Sequence, residues 1–83
     1  MIERDIEHIK ELDSVALAKD LPELGLVSGD VGTVVFIHRD HAAFEVEFIT
    51  AEGQTLGVET LDRKEVRPLN GKTILHVREL ELV

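Results

Sequence analysis

Short runs of strand-favouring residues, separated by turn residues, fill the middle of this chain. The run 32–38 is β-branched and aromatic, which is typical of a buried strand. The run 43–49 alternates, with Phe44, Val46 and Phe48 on one face and glutamates on the other. Three further runs complete the pattern and predict five strands in all: 13–19, 55–61 and 66–69.

Five short strands, with a long apolar loop after the first, predict a mainly all-β fold: a small SH3-like five-stranded barrel over 13–69. Isoleucines at helical spacing predict an N-terminal helix over 1–12. Pro68 places the last strand at a sheet edge, and Asp62 is predicted to cap one helical or 3₁₀ turn before it. The tail 70–83 is predicted to add an extra C-terminal strand or helix. The predicted core is apolar: Val15, Leu17, Val34, Phe36, Phe44, Val46, Phe48, Leu56, Val58 and Val66.

Composition excludes several classes of protein. The chain has 83 residues, enough for one small domain. It has no cysteine, so it forms no disulfide, no thiolate metal site and no cysteine nucleophile. No apolar run approaches the roughly 20 residues that span a bilayer, and the charged N-terminus is unlike a signal peptide. We therefore expect a cytoplasmic protein with no membrane partner.

The net charge of the chain indicates which kinds of partner it can bind. The chain carries 17 acidic residues against 9 lysines and arginines, for a formal net charge of −8. Proteins bind phosphate backbones through lysine and arginine, so a nucleic-acid partner is disfavoured. The excess of acids favours a basic protein partner instead.

Four segments form a combined pattern: DLPELGL over 20–26, GDVGTVV over 29–35, FEVEF over 44–48 and VRP over 66–68. In this combination, which extends roughly over 9–69, the chain resembles a family of small bacterial proteins of unknown function. The resemblance implies an SH3-like fold and a bacterial protein encoded beside other small proteins, some of them toxins. The chain differs from the family pattern in Leu24, where histidine is usual, and in Phe44, where tyrosine is usual.

The segment 29–34 also resembles KOW-type segments of ribosomal and transcription-elongation proteins, a likeness that implies an RNA- or ribosome-associated module. The geometry of a turn into a strand explains the same residues without any RNA. Gly29 and Gly32 let the chain turn sharply, and the Asp30 side chain can accept a hydrogen bond from the backbone of the turn. A nucleic-acid-binding surface is basic, and this chain is acidic. RNA binding is therefore the weaker alternative.

Residues for catalysis or metal binding are sparse. His38 and His41 flank a turn that contains Asp40, and such side chains bind divalent metals, but their spacing matches no metal signature. We interpret this segment as a solvated turn. Ser14 and Ser28 have no convincing histidine partner for nucleophilic catalysis. We predict no enzyme activity, no catalytic residue, no cofactor and no bound metal.

Two groups of residues are candidates for partner binding. The acids Glu45, Glu47 and Glu59 are predicted to lie together on the outer face of neighbouring strands, where they meet a basic partner. A solvated sheet face is the alternative for them. The apolar loop contributes three leucines, which either join the partner site or form a lid over the open barrel end: Leu21, Leu24 and Leu26.

The tail is apolar and nearly neutral in charge. Four of its residues are predicted to self-associate by strand addition or exchange, which predicts a homodimer: Ile74, Val77, Leu80 and Leu82. Packing of both termini on their own barrel is the open alternative.

The sequence thus predicts a non-catalytic protein–protein interaction module. Its most concrete form is an antitoxin-like partner that neutralises a basic neighbouring protein. The alternatives are a KOW-like RNA- or ribosome-associated module and an accessory subunit of a larger enzyme, similar to the SH3-like subunits of nitrile hydratase.

Overall fold

A computed structural model describes residues 3–69, which form one antiparallel β-sheet. Its order is β4–β3–β2–β1–β5, and no pairing between the two edge strands, β4 and β5, is seen within residues 3–69. The prediction of a mainly β fold is confirmed. The strands are β1 (Ser14–Leu17), β2 (Val31–Ile37), β3 (Ala43–Ile49), β4 (Thr55–Asp62) and β5 (Val66–Pro68).

Short 3₁₀ helices lie outside the sheet: Glu3–His8, Pro22–Leu24 and Arg39–His41. The 3₁₀ helix Glu3–His8 lies within the range 1–12, for which a single longer helix is predicted. Before β1 the chain already joins the sheet, because the N–H of Leu12 donates to the carbonyl of Val34 at 2.6 Å. Ile6 and Ile9 are buried in the core, so this segment packs on its own sheet. No helical segment of residues 3–69 has the length and apolar character that crossing a bilayer takes.

The hydrophobic core lies against one face of the sheet. We call the face that carries Phe44, Val46 and Phe48 the inner face, and the opposite face the outer face. All three side chains are buried, as the alternation in β3 predicts. The other buried members of the cluster come from the N-terminal segment, the first loop and the remaining strands: Ile6, Ile9, Val15, Leu17, Leu21, Val34, Leu61 and Val66.

Phe36, predicted to be in the core, lies on the outer face and is 50% exposed. The register between β2 and β3 shifts just before it: Val34 pairs with Val46, whereas Phe36 pairs with Glu45. One additional residue of β2 at this point reverses the alternation of side chains between the two faces. Ile37, next along the strand, therefore pairs with Phe44 and packs against the core.

Two predicted core residues of β4 are also on the outer face. Leu56 is 40% exposed and Val58 is 49% exposed. The register of β4 pairs Leu61 with Phe44 and Val58 with Glu47, so Leu61 enters the core and Val58 does not. The sequence of β4 has apolar residues at both alternating sets of positions, so either set could face the core. Only the pairing of β4 with β3 decides which set does.

The loop between β1 and β2 forms a lid on the inner side. Leu21 is buried, and Leu24 and Leu26 are half-buried against the core. Leu21 and Leu26 pair through backbone hydrogen bonds of 2.9 and 3.0 Å. Leu24 also reaches β4, since a β-carbon placed at Gly57 would lie 3.5 Å from its side chain. The loop therefore extends the core beyond the short strand β1.

Gly32 provides a test of the packing of the inner face. A β-carbon there would lie 2.6 Å from side-chain carbons of both Phe48 and Val46. We expect Gly32→Ala to lower the free energy of unfolding by about 1–3 kcal/mol, because a close-packed core resists one additional carbon. Urea denaturation followed by circular dichroism measures this in a chain without Trp or Tyr.

Gly57→Ala is the matched control. Its new methyl group would meet Leu24 at 3.5 Å, an ordinary van der Waals contact. We expect this variant to be at least as stable as the wild type, since alanine restricts the unfolded chain. Equal stabilities of the two variants would contradict the packing around Gly32.

Candidate functional site

The outer face of β2, β3 and β4 is the candidate site. Residues that pair across neighbouring strands share a face of the sheet, so the register defines two rows of side chains. Both rows have a glutamate of the central strand β3 in the middle, between a side chain of β2 and one of β4. The rows are Thr33–Glu47–Val58 and Phe36–Glu45–Thr60.

Exposed apolar side chains surround the two glutamates. Phe36 and Val58 lie in the same rows as Glu45 and Glu47, and each is about half exposed. Val31, at the start of β2, is 53% exposed. Apolar groups that cluster on the surface of a small domain are typical of a binding surface. The outer face is therefore both apolar and negatively charged.

Glu45 is held in place by two neighbouring side chains. Nε2 of His38 lies 2.6 Å from Oε2 of Glu45, and the hydroxyl of Thr60 donates to the same carboxylate at 2.8 Å. The ring of Phe36 packs edge-on against His38, with centroids 5.1 Å apart. The hydrogen bond from His38, and after it that from Thr60, lowers the pKa of Glu45. The outer face thus carries a positioned, ionised carboxylate beside an exposed aromatic ring.

The side chain of Glu47 is held by a longer hydrogen bond than those that hold Glu45. Within residues 3–69, its carboxylate accepts a hydrogen bond from the hydroxyl of Thr55 at 3.3 Å. Since Glu45 and Glu47 are two residues apart on one strand, their side chains point the same way. Together they form the negative centre of the outer face.

Glu59 lies on the opposite face from the other two predicted acids. It pairs with Val46, whose side chain is fully buried on the inner face. The prediction that Glu59 shares a face with Glu45 and Glu47 is therefore wrong. The reason is the same register of β4 that exposes Val58.

The three loop leucines are also separate from the acidic pair. They pack against the core on the inner side, and Leu21 has little surface left for a partner. The structure therefore does not combine them with Glu45 and Glu47 in one surface. The four tail residues predicted to self-associate, Ile74, Val77, Leu80 and Leu82, lie outside the described residues, and the homodimer stays a prediction.

The two histidines of the predicted turn have different partners. His38 bonds Glu45 on the outer face, whereas Nε2 of His41 lies 3.0 Å from the carbonyl oxygen of Ile9. The ring of His41 also packs edge-on against Phe44. Within the part of the chain that the structure describes, no three His, Cys, Asp or Glu side chains are grouped to hold a metal ion.

Sequence reasoning missed several members of the outer face, among them Phe36, His38, Val58 and Thr60. The available signal was the unbroken apolar run Val35, Phe36 and Ile37, which has no alternation and leaves the face of each residue undefined. The pairing of Thr60 with Glu45 depends on the register of β4, which the sequence pattern leaves open.

Comparison with known protein families gives a match over the sheet. The model of a family described as a domain of unknown function, DUF4926, matches residues 11–68. The matched range begins just before β1 and ends with the last residue of β5. No curated protein matches the chain.

The lowered pKa of Glu45 predicts a pH-dependent contribution to stability. Because the folded state lowers this pKa, the contribution is complete above the ordinary glutamate pKa, about 4.3, and is lost as the pH falls through the lower value of the folded state. We expect Glu45→Gln to reduce the free energy of unfolding at about pH 6 by less than about 1 kcal/mol, as for other surface pairs. The difference from the wild type should shrink as the pH is lowered from about 6 to below the ordinary glutamate pKa.

Glu52→Gln is the control, because it removes one exposed charge from the β3–β4 hairpin, away from His38. Denaturation of the three proteins at both pH values makes the comparison. A difference between wild type and Glu45→Gln that does not change with pH would contradict the role of the carboxylate.

Proposed function

This chain belongs to the DUF4926 family, a domain of unknown function, and we propose that it is a non-catalytic module that binds a protein partner through its outer face. One observation carries the proposal: exposed Phe36 and Val58 lie in the same rows as Glu45 and Glu47. A face that served solubility alone would present polar side chains at these positions. Exposed apolar groups beside oriented charges support recognition of another protein.

We propose that the sheet is an SH3-like barrel. The strand order, the long lid loop after β1 and the single tight turn before β5 support this. Two side chains accept hydrogen bonds from the backbone of this turn. The N–H of Lys64 donates to the Asp62 carboxylate at 2.7 Å, and the N–H of Asp62 donates to the Glu65 carboxylate at 2.9 Å. Asp62 therefore has the capping role that its position predicts.

The partner that fits this face is basic and partly apolar. Lysine or arginine side chains would meet Glu45 and Glu47, and apolar side chains would cover Phe36 and Val58. The net charge of −8 would attract such a partner from a distance and speed its association. An antitoxin-like role, in which this chain neutralises a basic protein encoded beside it, is the concrete version.

Two other functions stay open as proposals of lower rank. An RNA- or ribosome-associated module would have to place phosphates near Glu45 and Glu47, where like charges repel them. An accessory subunit of a larger enzyme would use the same face to bind that enzyme. A cytoplasmic location and a non-catalytic role stay predictions.

Binding to the product of the adjacent gene tests the proposal. We expect the two proteins to co-purify, and Phe36→Ser or the double variant Glu45→Lys, Glu47→Lys to weaken binding at least tenfold, which is about 1.4 kcal/mol. Isothermal titration at two salt concentrations measures the effect, and higher salt should weaken the wild-type complex.

Glu52→Lys is the control for the charge change, since Glu52 is exposed on a hairpin rather than on the outer face. Circular dichroism of each variant confirms its fold. Separate elution of the wild-type pair at micromolar concentration would contradict the antitoxin-like role. A gel shift with RNA at low salt would favour the KOW-like alternative.

A further inference from the structure

The two edges of the sheet differ in length and in chemistry. β5 has three residues, of which Pro68 has no N–H and Arg67 carries a positive charge. β4 has eight residues, with no proline, lysine or arginine among them. Short length, proline and charged side chains, lysine above all, keep an edge strand from pairing with other chains. The charges of β4, Glu59 and Asp62, are both negative, so they repel an acidic strand and attract a basic one.

The hydrogen bonds of β3 show which backbone groups of β4 point away from the sheet. The N–H of His38 donates to the carbonyl of Ala43 at 2.9 Å, so Ala43 bonds on the β2 side. Residues of a strand between two neighbours alternate in the side they bond, so every second residue after Ala43 bonds β4: Phe44, Val46 and Phe48. Their partners in β4 are Leu61, Glu59 and Gly57. The residues between these partners, Val58 and Thr60, therefore direct their N–H and carbonyl groups away from β3.

Asp62 provides an independent check of this alternation and marks the end of the open edge. It pairs with Ala43, so its backbone groups should also point away from β3. Its N–H donates to the Glu65 carboxylate at 2.9 Å, and its carbonyl accepts the N–H of Glu65 at 3.0 Å, as the alternation requires. Within residues 3–69 the sheet has no strand beyond β4, so Val58 and Thr60 have no strand partner on that side.

Acidic side chains flank this edge on both faces of the sheet. Glu45 and Glu47 lie on the outer face, one strand in from the edge, and Glu59 of β4 lies on the inner face. An added strand would lie about 5 Å from β4 and about 10 Å from β3. A lysine or arginine side chain that extends towards a glutamate covers either distance, because its aliphatic part is long. A basic strand at this edge therefore meets acids with both of its alternating sets of side chains.

We propose that an extended, basic segment of the protein partner adds to β4 as a further strand of the sheet. Its backbone pairs with Val58 and Thr60, and its side chains give specificity, as in other cases of strand addition. On one face they meet Glu45 and Glu47, and on the other they meet Glu59. The inference rests on the proposed function, since it states how the partner is held beside the outer face.

Charge favours a basic partner over a second copy of this chain at the same edge. A copy has the same net charge of −8 and would bring a second set of acids to the edge. A basic segment instead neutralises the acids that are already there, and its attraction to them operates before contact. The chemistry of the edge therefore selects a partner of opposite charge.

Amide hydrogen exchange of the full chain, followed by NMR, tests the inference. In the free protein we expect the amides of Val58 and Thr60 to exchange at least about tenfold faster than those of Glu59 and Leu61, which bond β3. The probe is an eight-residue peptide of alternating valine and lysine, which combines positive charge with a preference for extended structure. At saturation it should slow exchange at Val58 and Thr60 severalfold. The same peptide with glutamate in place of lysine is the control and should not bind.

Val58→Pro and Val58→Ala form a matched pair for the backbone contribution. Both variants remove the valine side chain, but only proline also removes the N–H. Proline is tolerated on an edge strand where the N–H faces outwards, and circular dichroism of both variants confirms the fold. Fluorescence anisotropy with the labelled valine–lysine peptide should show binding weakened about tenfold or more by Val58→Pro and less than about threefold by Val58→Ala.

Several results would overturn the inference. They are slow exchange of Val58 and Thr60 already in the free chain, absence of peptide binding, binding that leaves their exchange unchanged, and equal affinities of the two Val58 variants. Slow exchange in the free chain would mean that residues outside 3–69 or a second copy already occupy the edge, and the mass in solution distinguishes these two.

The complex with the adjacent gene product separates this inference from the proposed function. If Phe36→Ser weakens that complex and Val58→Pro binds no more weakly than Val58→Ala, the inference alone is wrong. If the peptide protects the edge while changes at Phe36, Glu45 and Glu47 leave binding of the gene product unaltered, the proposed function alone is wrong.

Discussion

The pairing of β3 with strands on both sides determines the two faces of this protein. Its odd and even positions separate cleanly, with Phe44, Val46 and Phe48 in the core and Glu45 and Glu47 outside. Each neighbour contributes the side chain that completes a row. Because the central strand contacts both β2 and β4, its register places the residues of three strands at once.

Small irregularities in this pairing give the outer face its chemistry. The shift before Phe36 turns an aromatic ring from the core to the surface, where it packs against His38. His38 in turn holds Glu45. A regular β2 would have placed Val35 beside Glu45 and Phe36 on the inner face, so the extra residue is what adds an aromatic ring to this surface. β-bulges are used in this way to direct side chains in many sheets.

The segments outside the sheet are joined to it by a few polar contacts. His41 bonds the carbonyl of Ile9 at 3.0 Å, and Arg63 lies 3.7 Å from Glu7 and 3.4 Å from the carbonyl oxygen of Asp40. Lys19 bonds Glu65 at 3.0 Å across the β1–β5 end of the sheet. Each contact is modest at the surface. Together they accompany the burial of Ile6 and Ile9, which adds two apolar side chains to the core formed by the sheet and the first loop.

The sequence by itself determined the five strands, the mainly β class, the faces of β3 and the edge position of β5, because alternation and turn residues are local properties. It also placed Asp62 as a cap. Only the tertiary structure decided the faces of β4 and the second half of β2. In those strands apolar residues occur in both phases, so Glu59 and Val58 exchanged sides relative to the prediction. The candidate site was thus half predictable: its glutamates follow from one alternating strand, while Phe36, His38 and Thr60 join them through pairings between strands that no single segment encodes.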